Sequence, residues 1–181
     1  MRIYLAGPLF TPYERDFLDA CAARLRAEGH DVFVPHEQTQ GLDLTPGADV
    51  IFAKDWAGLH AADAVLAILD GPQTDDGTAC EIGIFYALMQ SDPARKGIVG
   101  LVTDLRGARS GEGHGLNLFV EGCIEAAGEI VSDLDAAVGV LAGWAEKRLV
   151  RRLPAGELEG AGRVMDAADA GGRVGRPEEG R

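Results

Sequence analysis

What the 181-residue sequence lacks narrows the possibilities first. No apolar run approaches the ~18 residues that a membrane-spanning helix needs, so a membrane protein is not expected. The opening stretch from Met1 to Phe10 has neither the long apolar core nor the cleavage site of a secretory signal. Basic residues are outnumbered, with 17 Lys and Arg against 29 Asp and Glu and a formal net charge of -12. A protein that neutralises a phosphate backbone needs the opposite balance. A nucleic-acid polymer is therefore excluded as a partner, whereas a small nucleoside or nucleotide is not. Cysteine is sparse: Cys21, Cys80 and Cys123 are odd in number, far apart, and form no C-x-x-C pair. That argues against a disulfide framework or a cysteine zinc site and suits a reducing cytoplasm. The four histidines show no H-x-x-x-H spacing, so no metal is expected. Neither a G-x-G-x-x-G fingerprint nor a P-loop is present, so dinucleotide or triphosphate binding has no motif support.

What is present reads as alternating strand and helix. Short apolar runs at Arg2–Ala6, Asp31–Val34, Asp63–Leu69, Gly97–Thr103 and Glu129–Ser132 predict five strands. Between them lie patterns predicting helices. Thr11-Pro12-Tyr13-Glu14 is a capping box with Pro at the first helical position. It opens a helix with Phe17, Leu18, Cys21 and Leu25 on one face and Gly29 as its stop. Further helices are predicted over roughly Gly47–Ala61 (opened by Pro46), Thr78–Gln90, Leu116–Ala127 and Asp133–Leu149, with loops at His36–Thr45, Asp70–Gly77 and Gly107–Gly115. Near-continuous apolar strands alternating with amphipathic helices imply an α/β fold with a parallel sheet covered on both faces. Five strands at this spacing suggest a flavodoxin-like doubly wound sheet of order 2-1-3-4-5. Residues 151–181 hold seven Gly and two Pro with balanced charge, so a body of residues 1–150 and a flexible tail of residues 151–181 are predicted. A short helix around Val164-Met165 is the one element expected in the tail.

In such sheets ligands bind beyond the carboxyl ends of the strands, at the switch point between strands 1 and 3. The loops after Ala6, Val34, Leu69 and Thr103 should therefore surround one pocket. After strand 1, Gly7 would let a ligand approach the backbone, or it simply makes a tight turn. After strand 3 come Asp70, Asp75 and Asp76, with Glu81 a turn into the next helix. Two carboxyl groups on one pocket can cleave a glycosidic bond, one attacking or stabilising the anomeric carbon and the other managing the proton. On that reading Glu81 is kept ionised by the positive end of its helix, and Asp75, crowded by like charges, holds a proton for the leaving group. The alternative is structural: Thr78 to Glu81 is itself a capping box, and Asp75 and Asp76 are ordinary turn formers. Asp55 reads as a solvated mid-helix residue, Asn117 as a loop polar group or helix cap, and Trp56 and Trp144 as packing residues.

Together, Ile3-Tyr4-Leu5-Ala6-Gly7-Pro8, Asp55, the strand Asp63–Leu69, and Asp75-Asp76-Gly77-Thr78-Ala79-Cys80-Glu81-Ile82-Gly83 resemble the nucleoside 2-deoxyribosyltransferases. The D-x-G-T-A-x-E-I-G stretch is the most specific part, and the likeness covers roughly residues 2–130. The resemblance implies Glu81 as the nucleophile toward C1′ of a 2′-deoxynucleoside, with retention after a second base takes the sugar. It implies Asp75 as the acid and base toward the exchanged bases and Asp55 as an assisting carboxylate. Tyr4 would hold the glutamate, and Asn117 would be lent by a neighbouring subunit to the sugar 5′-hydroxyl. Gln38 matches a base-contacting glutamine loosely, because the loop length there differs. Gly7, Phe10 and Gly77 would line the pocket. No cofactor is implied; the partners are a small 2′-deoxynucleoside, a free nucleobase, and further copies of the chain in a homo-oligomer with shared active sites. Two rivals stand beside this reading. One is hydrolysis of a nucleoside or nucleoside 5′-monophosphate; the acidic body and the absence of a basic residue in Gly7–Thr11 disfavour an anionic substrate, although Arg15, Arg106 or Arg109 offers a charge. The other is a non-catalytic nucleoside-binding module, since fold does not fix function.

Overall fold

The structure, a computed structural model of the chain, describes residues 1–39, 47–105 and 115–146. Five strands pair in parallel: β1 (Arg2–Ala6), β2 (Asp31–Phe33), β3 (Ala64–Ile68), β4 (Gly97–Leu101) and β5 (Glu129–Val131). Their order is β2-β1-β3-β4-β5, as the spacing predicts. Among the described residues five α-helices flank the sheet: α1 (Pro12–Ala27), α2 (Ala48–Ala61), α3 (Asp76–Ser91), α4 (Leu118–Ala127) and α5 (Leu134–Glu146). Among the described residues no helix is long and apolar enough to cross a membrane. The predicted tail, its Val164-Met165 helix, the boundary near residue 150 and most of the Gly107–Gly115 loop lie outside the described residues.

Strand alternation decides what each helix covers. Ile3, Leu5, Ala64, Leu66, Ile68, Val99 and Leu101 point to one face and pack with Leu18, Cys21 and Leu25 of α1 and Ala137, Val138 and Leu141 of α5. Tyr4, Ala6, Val65, Ala67, Leu69 and Ile98 point to the other. There they meet Leu59 of α2, Ile82, Phe85 and Met89 of α3, and Val120, Ile124 and Ala127 of α4. Both faces of the central strands are thus dry, and the two cores are separate layers.

Local chemistry sets the helix ends. The capping box at α1 forms in full: Thr11 Oγ1 accepts from Glu14 N at 3.3 Å and Glu14 Oε2 accepts from Thr11 N at 2.7 Å. Gly29, at φ +81°, turns the chain out of α1 in a conformation that favours glycine. The buried Arg95 closes α2 from across the fold, donating to His60 O and Ala62 O at 2.8 and 2.7 Å. Most boundaries shift from expectation by a residue or two, and two differences bear on the strand-end loops. Residues Pro35–Thr39 form a short 3-10 helix where the sequence suggests a loop from His36. Helix α3 begins at Asp76 instead of Thr78 because Asp75 supplies the cap.

Candidate active site

Asp75 Oδ2 accepts hydrogen bonds from Thr78 N at 3.0 Å and Thr78 Oγ1 at 3.2 Å, which makes Asp75 the N-cap of α3. Glu81 is then the sixth residue of the helix, beyond the first turn, where no free backbone amide needs it. The capping-box reading of Thr78 to Glu81 is therefore wrong. Glu81 Oε1 instead accepts from the Tyr4 hydroxyl at 2.5 Å. Tyr4 is fully buried in the core on the α2–α3 side of the sheet.

The electrostatics of Glu81 also depart from expectation. A macrodipole acts within the first turn, and Glu81 lies past it. Its pKa is raised to about 7, chiefly by burial. The Tyr4 hydrogen bond opposes that rise, and the charges of Asp55 and Asp75 add to it. Asp55, half-buried on α2, is also raised by burial, with Lys54 pulling the other way. The Tyr4 phenol is pushed far above its ordinary range by burial first and by Glu81 next, so it remains a donor.

Glu81, Asp55 and Asp75 border one cleft of about 480 Å³, within the range of small-molecule sites. Its acidic lining is Asp55, Asp75, Asp76 and Glu81, and its apolar lining is Leu9, Phe10, Pro35 and Ile51. Gly7 and Gly77 complete the lining with Thr78. Gly7 also serves packing: a Cβ there would lie 3.0 Å from Ile68 Cβ and Leu18 Cδ2. A Cβ on Gly77 would lie 3.2 Å from the capping oxygen of Asp75.

Of the predicted site residues, Glu81, Asp75, Asp55, Gly7, Phe10 and Gly77 converge on the cleft, and Tyr4 stands behind Glu81. Gln38 and Asn117 do not line it. The Gln38 amide is turned back to Val34 O at 3.4 Å. Asn117 Oδ1 caps α4, accepting from Phe119 N and Val120 N at 2.9 and 3.4 Å. Asp70 does not join the carboxylate group either. It accepts from Thr103 N, Thr103 Oγ1 and Asp104 N at 2.6, 2.5 and 3.0 Å. Asp70 borders a second, smaller hollow of about 230 Å³ with Pro8, Tyr13, Phe17 and Ile68. Among the described residues the strand-end loops therefore surround more than one hollow. Alternation carries the signal for this: Asp70 shares the parity of Ile68 and so faces α1, away from Glu81. The sequence reading missed Ile51, which lies one helical turn before Asp55 and on the same face, and Leu9, Pro35 and Thr78. Trp56, expected to pack, is 41% exposed and stacks on Phe52. Trp144 does pack against the core on the α1–α5 side.

Comparison with known proteins places this arrangement in context. The family model described as nucleoside 2-deoxyribosyltransferase matches residues 3–139. An uncharacterised protein of Ureaplasma parvum serovar 3 is 32% identical over 132 residues, covering 68% of this chain and 83% of that protein. Among solved structures, a conserved protein from Enterococcus faecalis V583 superposes with a TM-score of 0.67 at 27% identity, covering 79% of this chain and 98% of that one. The 2-deoxyribosyltransferase of Bacillus psychrosaccharolyticus superposes with a TM-score of 0.61 at 23% identity, covering 85% of this chain and all of the other, a likeness of fold.

Proposed function

The chain belongs to the nucleoside 2-deoxyribosyltransferase family, and from that premise we propose that it transfers a 2-deoxyribosyl group between nucleobases, with Glu81 as nucleophile. The observation that carries this reading is that Glu81 has no capping duty, borders the cleft, and is gripped through one oxygen by Tyr4. Oε2 is then the oxygen that attacks. It forms a bond to C1′ as the C1′–N bond breaks, and the departing base takes the electron pair and a proton. The nitrogen of an incoming base then attacks C1′, the C1′–Oε2 bond breaks, and that base gives up its proton. Two inversions give net retention. Asp75, whose Oδ1 lies outside the cap, handles the proton on the exchanged bases. Asp55, raised by its burial, assists from beside them in the same cleft. Such proton transfer contributes ~10²–10⁴-fold. The sugar becomes cationic in transit, and the acidic lining stabilises it.

The lining favours a neutral nucleoside. Among the described residues bordering the cleft there are four carboxyl groups and no Lys or Arg. Repulsion at such a site disfavours a 5′-phosphate; Arg106 and Arg109 lie outside the described residues. A homo-oligomer with shared sites is part of the proposal. Leu118 and Phe119, 81% and 79% exposed, follow Asn117, the residue that the resemblance assigns to a neighbour's substrate. Mixing Glu81→Ala with Asn117→Ala tests the sharing, because mixed oligomers would regain intact sites and activity. Unrestored activity would refute it.

One observation favours hydrolysis as a second reading: Phe10, a wall of the cleft, is 75% exposed, so in a single chain water reaches the glycosyl-enzyme. Deoxyinosine incubated with and without adenine separates the two. Transfer yields deoxyadenosine; hydrolysis releases deoxyribose in both arms. Treatment with a 2′-fluoro-2′-deoxynucleoside, followed by intact mass spectrometry, should trap one sugar on Glu81. An unmodified mass would count against covalent catalysis. A folded Glu81→Ala that exchanges bases at the parental rate would remove the nucleophile assignment. A parent inactive with every base pair would favour a binding module.

A further inference from the structure

Tyr4 is held by more than its hydrogen bond. It is paired in register with Phe33 across β1 and β2, so both rings project to the same face of the sheet. The rings stack with centroids 5.2 Å apart and planes 14° from parallel. On its far edge Phe33 meets α2 at Gly58. A Cβ built on Gly58 would lie 2.6 Å from Cε1, Cε2 and Cζ of Phe33, a separation that real Cβ atoms do not tolerate. Glycine is the least favoured ordinary residue in a helix interior, and here close packing explains its presence. Phe33 thus fills the space between the Tyr4 ring and the backbone of α2. That same helix carries Asp55 and Ile51 into the cleft, and Arg95 fixes its far end.

We propose that Phe33 and Gly58 are positioning residues: their contact sets how far α2 stands from β1, holds the Tyr4 ring in plane, and through Tyr4 aims the Glu81 carboxylate at the cleft. This rests on Glu81 acting as proposed above. A side chain at position 58 must displace the Phe33 ring or lift α2. Either shift loosens the Tyr4 ring, and with it the hydroxyl that reaches Glu81. Misplacement of a catalytic group by about 1 Å can cost on the order of 10²-fold in rate.

The test is the titration of Glu81 in the full chain, followed by carboxyl-¹³C NMR and assigned with Glu81→Gln. The charged or titratable groups that act on Glu81 are Tyr4 from β1, Asp55 from α2 and Asp75 at the start of α3. The Tyr4 hydrogen bond is what lowers Glu81 against burial, Asp55 and Asp75, so loosening Tyr4 moves the midpoint upward. Phe33→Leu and Gly58→Ala should each raise it, in the direction of Tyr4→Phe. A rise of one unit from about 7 cuts the ionised fraction at pH 7 about fivefold, and base exchange should fall with it and recover toward pH 9. The two changes act on one contact, so Gly58→Ala should add little in the Phe33→Leu background. If Gly58→Ala does not fold, Phe33→Leu decides alone. Parental midpoints in the folded variants, or fully additive effects, would overturn the proposal. The titration reads Glu81 even in a protein that exchanges no base, so failure of the transferase reading is seen separately.

Discussion

Replacing Glu81 by Gln should make the protein more stable above neutral pH while abolishing exchange. Burial raises this carboxyl from the ordinary 4.5 to about 7. The fold therefore prefers it protonated. Its stabilising contribution is complete below pH 4.5 and is lost as pH climbs through about 7. At ~1.4 kcal/mol per pH unit of displacement, the ionised form costs the fold up to about 3 kcal/mol above pH 8. Glutamine has nearly the same shape, carries no charge, and keeps an oxygen for the Tyr4 hydroxyl. The difference between Glu81→Gln and the parent should be near zero at pH 4 and still under about 1 kcal/mol at pH 5. It should open between pH 5 and 8 and level off at up to about 3 kcal/mol. For a domain of this size that corresponds to a gain of roughly 6–12 °C in Tm at pH 8. Urea unfolding of both proteins across pH 5–9 measures it directly, and all other carboxylates titrate in both, so their contribution cancels. A difference that stays flat with pH, or a parent more stable than the variant at pH 8, would refute the claim that Glu81 is held in a desolvating site.

Three further outcomes are expected. Tyr4→Phe removes the hydrogen bond that lowers the Glu81 pKa, so the acid limb of the exchange rate should move upward from about 7; an unmoved limb in a folded variant would show that Tyr4 does not govern Glu81. Asp75→Asn keeps a good N-cap and should leave the stability from urea unfolding within about 0.5 kcal/mol of the parent, while exchange drops about 10²–10⁴-fold; loss of stability with activity intact would reverse the two roles. Gly7→Ala forces a methyl to within 3.0 Å of Ile68 and Leu18 and should destabilise by about 1–3 kcal/mol, measured by thermal melting; a neutral result would mean that the strand end shifts freely.

Much of the architecture was legible because it is governed by neighbours in sequence. Apolar runs of strand length, a complete capping box at Thr11, and Gly29 as a stop each describe a local preference, and each is found in the fold. The strand order followed from the regular alternation of strand and helix. The candidate site was legible in part for a different reason: the Asp75 to Gly83 stretch is short and specific, and one helix start presents it as a unit. Local reading failed where two local chemistries compete. Thr78 to Glu81 and Asp75 to Thr78 both spell a cap, and the backbone accepted the earlier one. That choice released Glu81 from the helix terminus.

By itself the sequence determined the parallel sheet and its order, the family, and the clustering of carboxyl groups beside one strand end, since all are written in spacing along the chain. The resemblance implied a tyrosine holding Glu81, but spacing along the chain did not; only the tertiary structure decided that Tyr4 and Glu81, 77 positions apart, meet at 2.5 Å. It also decided that Asp70 turns to the opposite face and that Glu81 sits where a charge is poorly solvated. The physical reason is common to all three. Periodicity states that residues alternate between faces, but which distant side chain waits on a face, and how much water remains there, is fixed only when the layers pack.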